Sequence, residues 1–173
     1  MSNGAPVIRA SRKSNSVPII RADGEGERLS FYGGGLMTLK ATESETDGAF
    51  LLLEDQMVRG KMTPLHVHEN EDETLYVLEG EILVHVDGNE HRVGKHGVVV
   101  VPRGIPHAFL VTSETARALV LLVPGNGEAF YRAASRPATA DSDASGPVDF
   151  ERVREAAERT GVIKIIGPPP FRR

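Results

Sequence analysis

Cysteine is absent from all 173 residues, which excludes disulfides, thiolate-bound metals and cysteine nucleophiles and is compatible with a reducing cytoplasm. A basic surplus is missing too. Lys and Arg number 20 against 24 Asp and Glu, for a formal net charge of -4, so nothing drives binding to a phosphate backbone and no nucleic-acid partner is expected. No apolar run reaches the roughly 18 residues of a spanning helix. The opening MSNGAPVIRASRKSNSVPII lacks the apolar core of a signal peptide. The expectation is a cytoplasmic protein without a membrane partner. What is present is ordinary globular usage, 40% apolar and 25% charged, in a length that suits one domain.

Residues 1–18 carry Ser, Asn, Arg and Lys without apolar periodicity, and are read as a flexible arm because such a composition buries too little surface to offset its ordering entropy. Residues 19–173 are then one domain. Within it, 133–147 (AASRPATADSDASGP) reads as a linker, followed by a helix over 149–160 with Asp149 as N-cap and Gly161 as its end. Before the linker, short apolar runs recur between turn residues: Leu36–Ala41, Ala49–Leu53, Leu65–His68, Thr74–Leu78, Ile82–Val86, His91–Val93, Val98–Val101, His107–Thr112 and Arg117–Val123. Many short strands on this rhythm predict an all-β sandwich or closed barrel. Asp87-Gly88 predicts a tight hairpin because both residues tolerate positive φ.

Histidine is scarce, 6 in all, yet His66 and His68 stand two apart. In a strand that spacing puts both imidazoles on one face, with Cα atoms roughly 6.5–7 Å apart, near enough to share one cation. Glu69, Glu71, Asp72 and Glu73 follow at once. Leu75 and Val77 continue the face of Glu73, which favours Glu73 as the converging carboxylate, with Glu71 as the alternative and Asp72 pointing outward. His85, His91 and His96 lie in a strand or near turns and are expected to be surface or locally bonded residues.

From Gly60 to Gly80 the chain reads G-x5-H-x-H-x4-E-x6-G, and Pro102 to His107 reads P-x-G-x2-H. These stretches resemble the two motifs of the cupin superfamily. The resemblance implies a cupin β-barrel (double-stranded β-helix, or jelly roll) with a short C-terminal helix, and implies that His66, His68, Glu73 and His107 are the ligands of one divalent transition metal. The second motif departs from the family pattern at His96-Gly97, where glycine then aspartate is usual. Three neutral imidazoles and a carboxylate leave open positions on an ion, and Fe, Mn, Ni, Co, Cu and Zn all suit such donors.

The stretch from Pro64 to Gly80, with Pro124-Gly125, Glu128 to Tyr131 and the closing Gly167 to Pro170, is similar to bacterial monocupins related to quercetin 2,3-dioxygenase. That resemblance implies a dioxygenase acting on a flavonol-like or other enolic aromatic small molecule. It gives Glu73 a second role, as acceptor of the ligand's hydroxyl proton. The alternative is a non-redox cupin that binds, cyclises or isomerises a small molecule. Homodimers are implied as well. Alternation carries Met62, Leu75, Val77, Phe109 and Val111 inward beside the ligands, an apolar pocket whose faces hold no Arg or Lys to clamp a phosphate.

Overall fold

Each short apolar run becomes a strand in the computed structural model, which describes residues 17–146 and 148–171. The strands are β1 (Glu27–Phe31), β2 (Leu36–Ala41), β3 (Leu51–Val58), β4 (Leu65–His68), β5 (Asp72–Glu79), β6 (Glu81–Val86), β7 (Asn89–Gly94), β8 (Val98–Val101), β9 (His107–Val111) and β10 (Thr115–Val123). After them come α1 (Glu128–Ala133), β11 (Ser135–Pro137), α2 (Phe150–Thr160) and β12 (Ile163–Gly167). Two antiparallel sheets form the jelly roll, one ordered β11-β1-β2-β3-β10-β5-β8 and the other β12-β4-β9-β6-β7. Most of the expected arm, residues 1–16, lies outside the described residues, and Val17 and Pro18 are exposed and irregular.

The core is the inward set of both sheets, led by Leu39, Leu51, Leu53, Leu75, Ile82 and Leu122, each almost fully buried. Its alternation is clean on β10, where every second residue from Ala116 to Leu122 is buried, as expected of strands with one face on a core. β3 is the exception. Glu54 and Asp55 are buried inside it, Glu54 against Arg117 at 2.6 Å and Lys40 at 3.5 Å, and Asp55 against Lys61. Those charges conceal the second half of the strand from a reading based on apolar periodicity.

Helix α2 starts and stops where its caps predict. Asp149 Oδ1 accepts from the Arg152 N–H at 3.1 Å, and Gly161 takes φ +65. The linker expectation needs correction. Ala133 ends α1, Ala134 is wholly buried, and Ser135–Pro137 pair with Leu29–Phe31 as the edge strand β11. Pro137 is tolerated there because an edge residue can lack a donor, and 138–146 are irregular. Strands β1, β11 and β12 and helix α1 carry too little apolar pattern to be read in advance. Among the described residues no helix is long and apolar enough to cross a membrane.

Two glycines at positive φ separate backbone strain from crowding. At Gly88 (φ +77), in the Asp87-Gly88 hairpin turn, a Cβ would meet nothing within 4 Å. At Gly80 (φ +78), between β5 and β6, a Cβ would lie 2.2 Å from the Thr115 carbonyl oxygen. Gly88→Ala is therefore expected to cost about 1–2 kcal/mol from φ alone, and Gly80→Ala clearly more, about 3 kcal/mol or above. Urea unfolding of the two variants checks the order.

Candidate metal centre

Both sheets contribute to one cluster. His66 and His68 alternate along β4, and His107 at the start of β9 is the register partner of His66. Glu73 comes from the opposite sheet, on β5 between Leu122 of β10 and Val101 of β8. One donor atom from each of the four lies within 4.8 Å of the others, and all four side chains are buried. The turn before His107 is tied to the first motif by the Gly104 N–H, which donates to the His68 carbonyl at 2.7 Å, with Gly104 at φ +81. Asp72 does point outward, paired with Arg103 at 3.0 Å.

The donor chemistry is decided on the far side of each ring. His66 Nδ1 lies 2.9 Å from the Pro64 carbonyl, His107 Nδ1 is 2.9 Å from the Ile105 carbonyl, and His68 Nδ1 is 3.2 Å from Glu71 Oε2. An acceptor at Nδ1 draws the ring proton there and leaves Nε2 as a lone pair, the tautomer a metal-bound imidazole requires. His68 Nε2 is buried without a hydrogen-bond partner among the described residues, and such an orphaned atom is costly unless something coordinates it. The residues therefore fit a divalent transition ion.

Glu71, the alternative carboxylate, is 1% exposed and sits behind His68 rather than among the converging donors. It precedes β5, so it escapes the strand parity that aims Glu73 inward. Gly127 makes room for it, since a Cβ there would lie 3.1 Å from Glu71 Oε1. The sequence offered Glu71 only as a rival ligand; its place as the anchor of a ligand's outer nitrogen depends on the loop between β4 and β5.

Burial dominates the electrostatics. It pushes His66 down to about 3, helped by His107 and His68, so this ring is neutral at physiological pH. Burial would raise Glu73, but the hydrogen bond from His107 Nε2 at 2.7 Å and the charges of the imidazoles outweigh it and hold the carboxyl at about 2. Burial would lower His107, and the same contact with Glu73 raises it above the ordinary imidazole value instead. Glu73 and His107 thus share a proton on the side where an ion would sit.

A cavity of about 50 Å³ opens from the cluster. Met62 and Phe109 line it as expected, with Phe31, Phe130, Tyr131 and Phe150. Leu75, Val77 and Val111 do not line it; they point inward, but are packed into the barrel core at 2%, 0% and 1% exposure. Parity chose their face correctly, while depth along the strand is set by the packing of both sheets. The expectation of a wall without Lys also fails. Lys61 lines the cavity together with Asp55, the two side chains forming a buried pair. Lys61 follows the turn at Gly60, where strand alternation does not hold. His85, His91 and His96 stay outside the cluster. His96 holds φ +67 in the turn where the family pattern has glycine.

A two-sheet antiparallel barrel carrying three histidines and one glutamate at the inner end of an apolar cavity defines a class of small metal-binding β-barrels. Residues 54–124 match the family model for the cupin domain, and the chain carries a cupin domain. Over 122 residues, 70% of its length, it is 32% identical to quercetin 2,3-dioxygenase of Bacillus subtilis (strain 168), and it spans 36% of that protein's length. Among solved structures it resembles an RmlC-like cupin from Shewanella frigidimarina, with TM-score 0.56 and 17% identity over 65% of this chain and 96% of the other. It also resembles a predicted oxalate decarboxylase from Thermotoga maritima, with TM-score 0.54 and 24% identity over 62% and 99% of the two chains. Those two likenesses speak for the fold alone.

Two outcomes follow for metal affinity. Because an ion competes with the proton that Glu73 and His107 share, affinity is expected to rise roughly tenfold per pH unit up to the raised pKa of His107 and to level off above it. Calorimetric titration with cobalt or nickel across pH 5.5–8.5, roughly the range in which an imidazole titrates, checks the sign. Glu71→Gln should weaken the same binding by about 10–100-fold, the usual scale for an outer partner of a ligating histidine.

Proposed function

We propose that this chain is a metal-dependent dioxygenase acting on a flavonol-like or other enolic aromatic small molecule, with His66, His68, Glu73 and His107 holding one divalent transition metal. The observation that carries the reading is the convergence of three imidazoles and one carboxylate beside an aromatic-lined cavity. The name of the Bacillus subtilis relative, quercetin 2,3-dioxygenase, supports it.

Bound there, a divalent ion would supply Lewis acidity toward an enolic hydroxyl and keep one or two positions open beyond its four protein donors. Glu73 is the proton acceptor on this reading. Held at about 2, it is fully ionised at neutral pH and available to accept, yet it is a weak base and takes a proton only from a strongly acidified hydroxyl. His66 stays neutral and contributes no competing proton. Phe31, Met62 and Phe109 would flank a planar ring and exclude water from it. Lys61 is already neutralised by Asp55, so a phosphate still finds no free cation.

One observation favours a second reading. The cavity of about 50 Å³ is far below the roughly 300 Å³ of pockets that hold drug-sized ligands, which suits a compact ligand and a non-redox cupin that binds, cyclises or isomerises it. For a flavonol, the wall must move. Phe150 at the start of α2, the one exposed residue of the lining at 39%, is the side chain placed to swing out. The reading extends to a homodimer in the cytoplasm, and light scattering tests the dimer.

Oxygen uptake and carbon monoxide release are measured on adding flavonols to protein loaded with Fe, Mn, Ni or Co. Turnover with at least one metal is expected. Glu73→Gln keeps an oxygen donor but no proton acceptor, and should lower turnover by roughly 100-fold or more with metal retained. Wild-type turnover in the reloaded Gln variant would leave Glu73 as a ligand only, and no uptake with any metal would give the place to the non-redox reading.

A further inference from the structure

The cavity contains a second polar feature that metal binding does not use. Lys61 and Asp55 are 3% and 2% exposed, and their ammonium and carboxylate are in contact. Asp55 uses only Oδ2 for that contact; Oδ1 is buried and has no hydrogen-bond partner among the described residues. The ammonium carries three N–H groups and makes its one hydrogen bond to Asp55. The rings of Phe31 and Phe109 lie near it, at 5.4 and 5.8 Å to their centroids. Burial pushes Asp55 up and Lys61 down from their ordinary values, against the pull of each on the other.

Such a pair is costly in an apolar wall, and apolar replacement of buried ion pairs is often neutral or stabilising. The backbone also yields to it. Gly35, at φ +100, passes so close that a Cβ would lie 2.7 Å from both Asp55 Oδ1 and Lys61 Nζ. What the pair brings to the cavity wall is one unpaired acceptor beside N–H groups with no second partner, with no net charge. A carboxylate or phosphate arriving there would gain the ammonium and meet Oδ1 at the same time. A hydroxyl satisfies both, accepting from Nζ through its oxygen and donating its proton to Oδ1.

We infer that Asp55 and Lys61 are specificity residues that read a neutral hydroxyl on the ligand, other than the one that meets the four-residue cluster. The inference rests on the enolic-aromatic reading above and narrows it to ligands bearing a second hydroxyl. A site built to bond a hydroxyl discriminates strongly against the analogue without one, because its own buried groups are then left unpaired.

The test uses the full chain loaded with cobalt or nickel. Its probes are 3-hydroxyflavone, 3,4′-dihydroxyflavone and 3,7-dihydroxyflavone, which share the chelating end and differ by one distal hydroxyl. Affinity is read from the absorption shift of the bound flavone, and metal content is measured separately. One dihydroxy probe should bind the wild type roughly 10–100-fold more tightly than 3-hydroxyflavone, and the 4′-carboxy analogue should bind more weakly than either. Single substitutions leave a buried charge alone and endanger the fold, so the informative variant is Asp55→Leu with Lys61→Met. It should melt no lower than the wild type, keep its metal, and lose the preference to within about threefold. Equal binding of all three flavones to the wild type overturns the inference and leaves the enolic reading standing, as does a preference that survives in the double variant or tighter binding of the carboxylate. If no flavone shifts with any metal, the enolic reading falls and the inference falls with it.

Discussion

Where three imidazole protons sit decides what this barrel can hold. Two backbone carbonyls, of Pro64 and Ile105, and one carboxylate, of Glu71, face the outer nitrogens of His66, His107 and His68, and that turns the inner nitrogens toward the cluster, the one of His107 sharing with Glu73 a proton that an ion would displace. The carbonyls each come from two residues before their histidine, so the segments Pro64–His66 and Ile105–His107 carry ligand and anchor together. Glu71 is different: it reaches His68 from a loop and is buried to do so. With Glu73 supplied from the opposite sheet, the cluster joins the two layers of the jelly roll at one point.

The barrel tolerates this concentration of polar groups because most of its interior is apolar. Leu39, Leu51, Leu53, Leu75, Ile82 and Leu122 leave almost no exposed surface, and burial of that kind is the dominant stabilising contribution. The fold is accordingly expected to persist without an ion, in contrast to domains that are unfolded without one. The buried charges of β3 divide by role. Glu54 is bonded to Arg117 and lies near Lys40, two cations that remain partly solvated. Asp55, one residue on, faces the opposite way into the cavity and is held by Lys61 alone.

Strands β2 to β10, the Asp87-Gly88 hairpin, the helix between Asp149 and Gly161 and the two histidine motifs were legible because each is a local signal. Alternation sets a face, positive φ sets a turn, and a side-chain cap sets a helix start. Reading alternation also brought Met62 and Phe109 to the cavity. It failed for Leu75, Val77 and Val111 because a face is a property of one strand, whereas depth below the metal cluster is a property of two sheets packed together.

The sequence by itself determined an all-β chain with two histidine-bearing stretches at cupin spacing, since period-two patterning and residue spacing are written along the chain. Tertiary structure alone decided that Glu71 stands behind His68, that Ser135–Pro137 complete a sheet edge, and that Asp55 and Lys61 are buried as a pair in the cavity wall. None of these has a periodic signature. Ser135–Pro137 meet Leu29–Phe31 only across the closed fold, the Glu71–His68 and Asp55–Lys61 contacts depend on the paths of the turns between them, and a buried charge reads in sequence as surface until its partner is known.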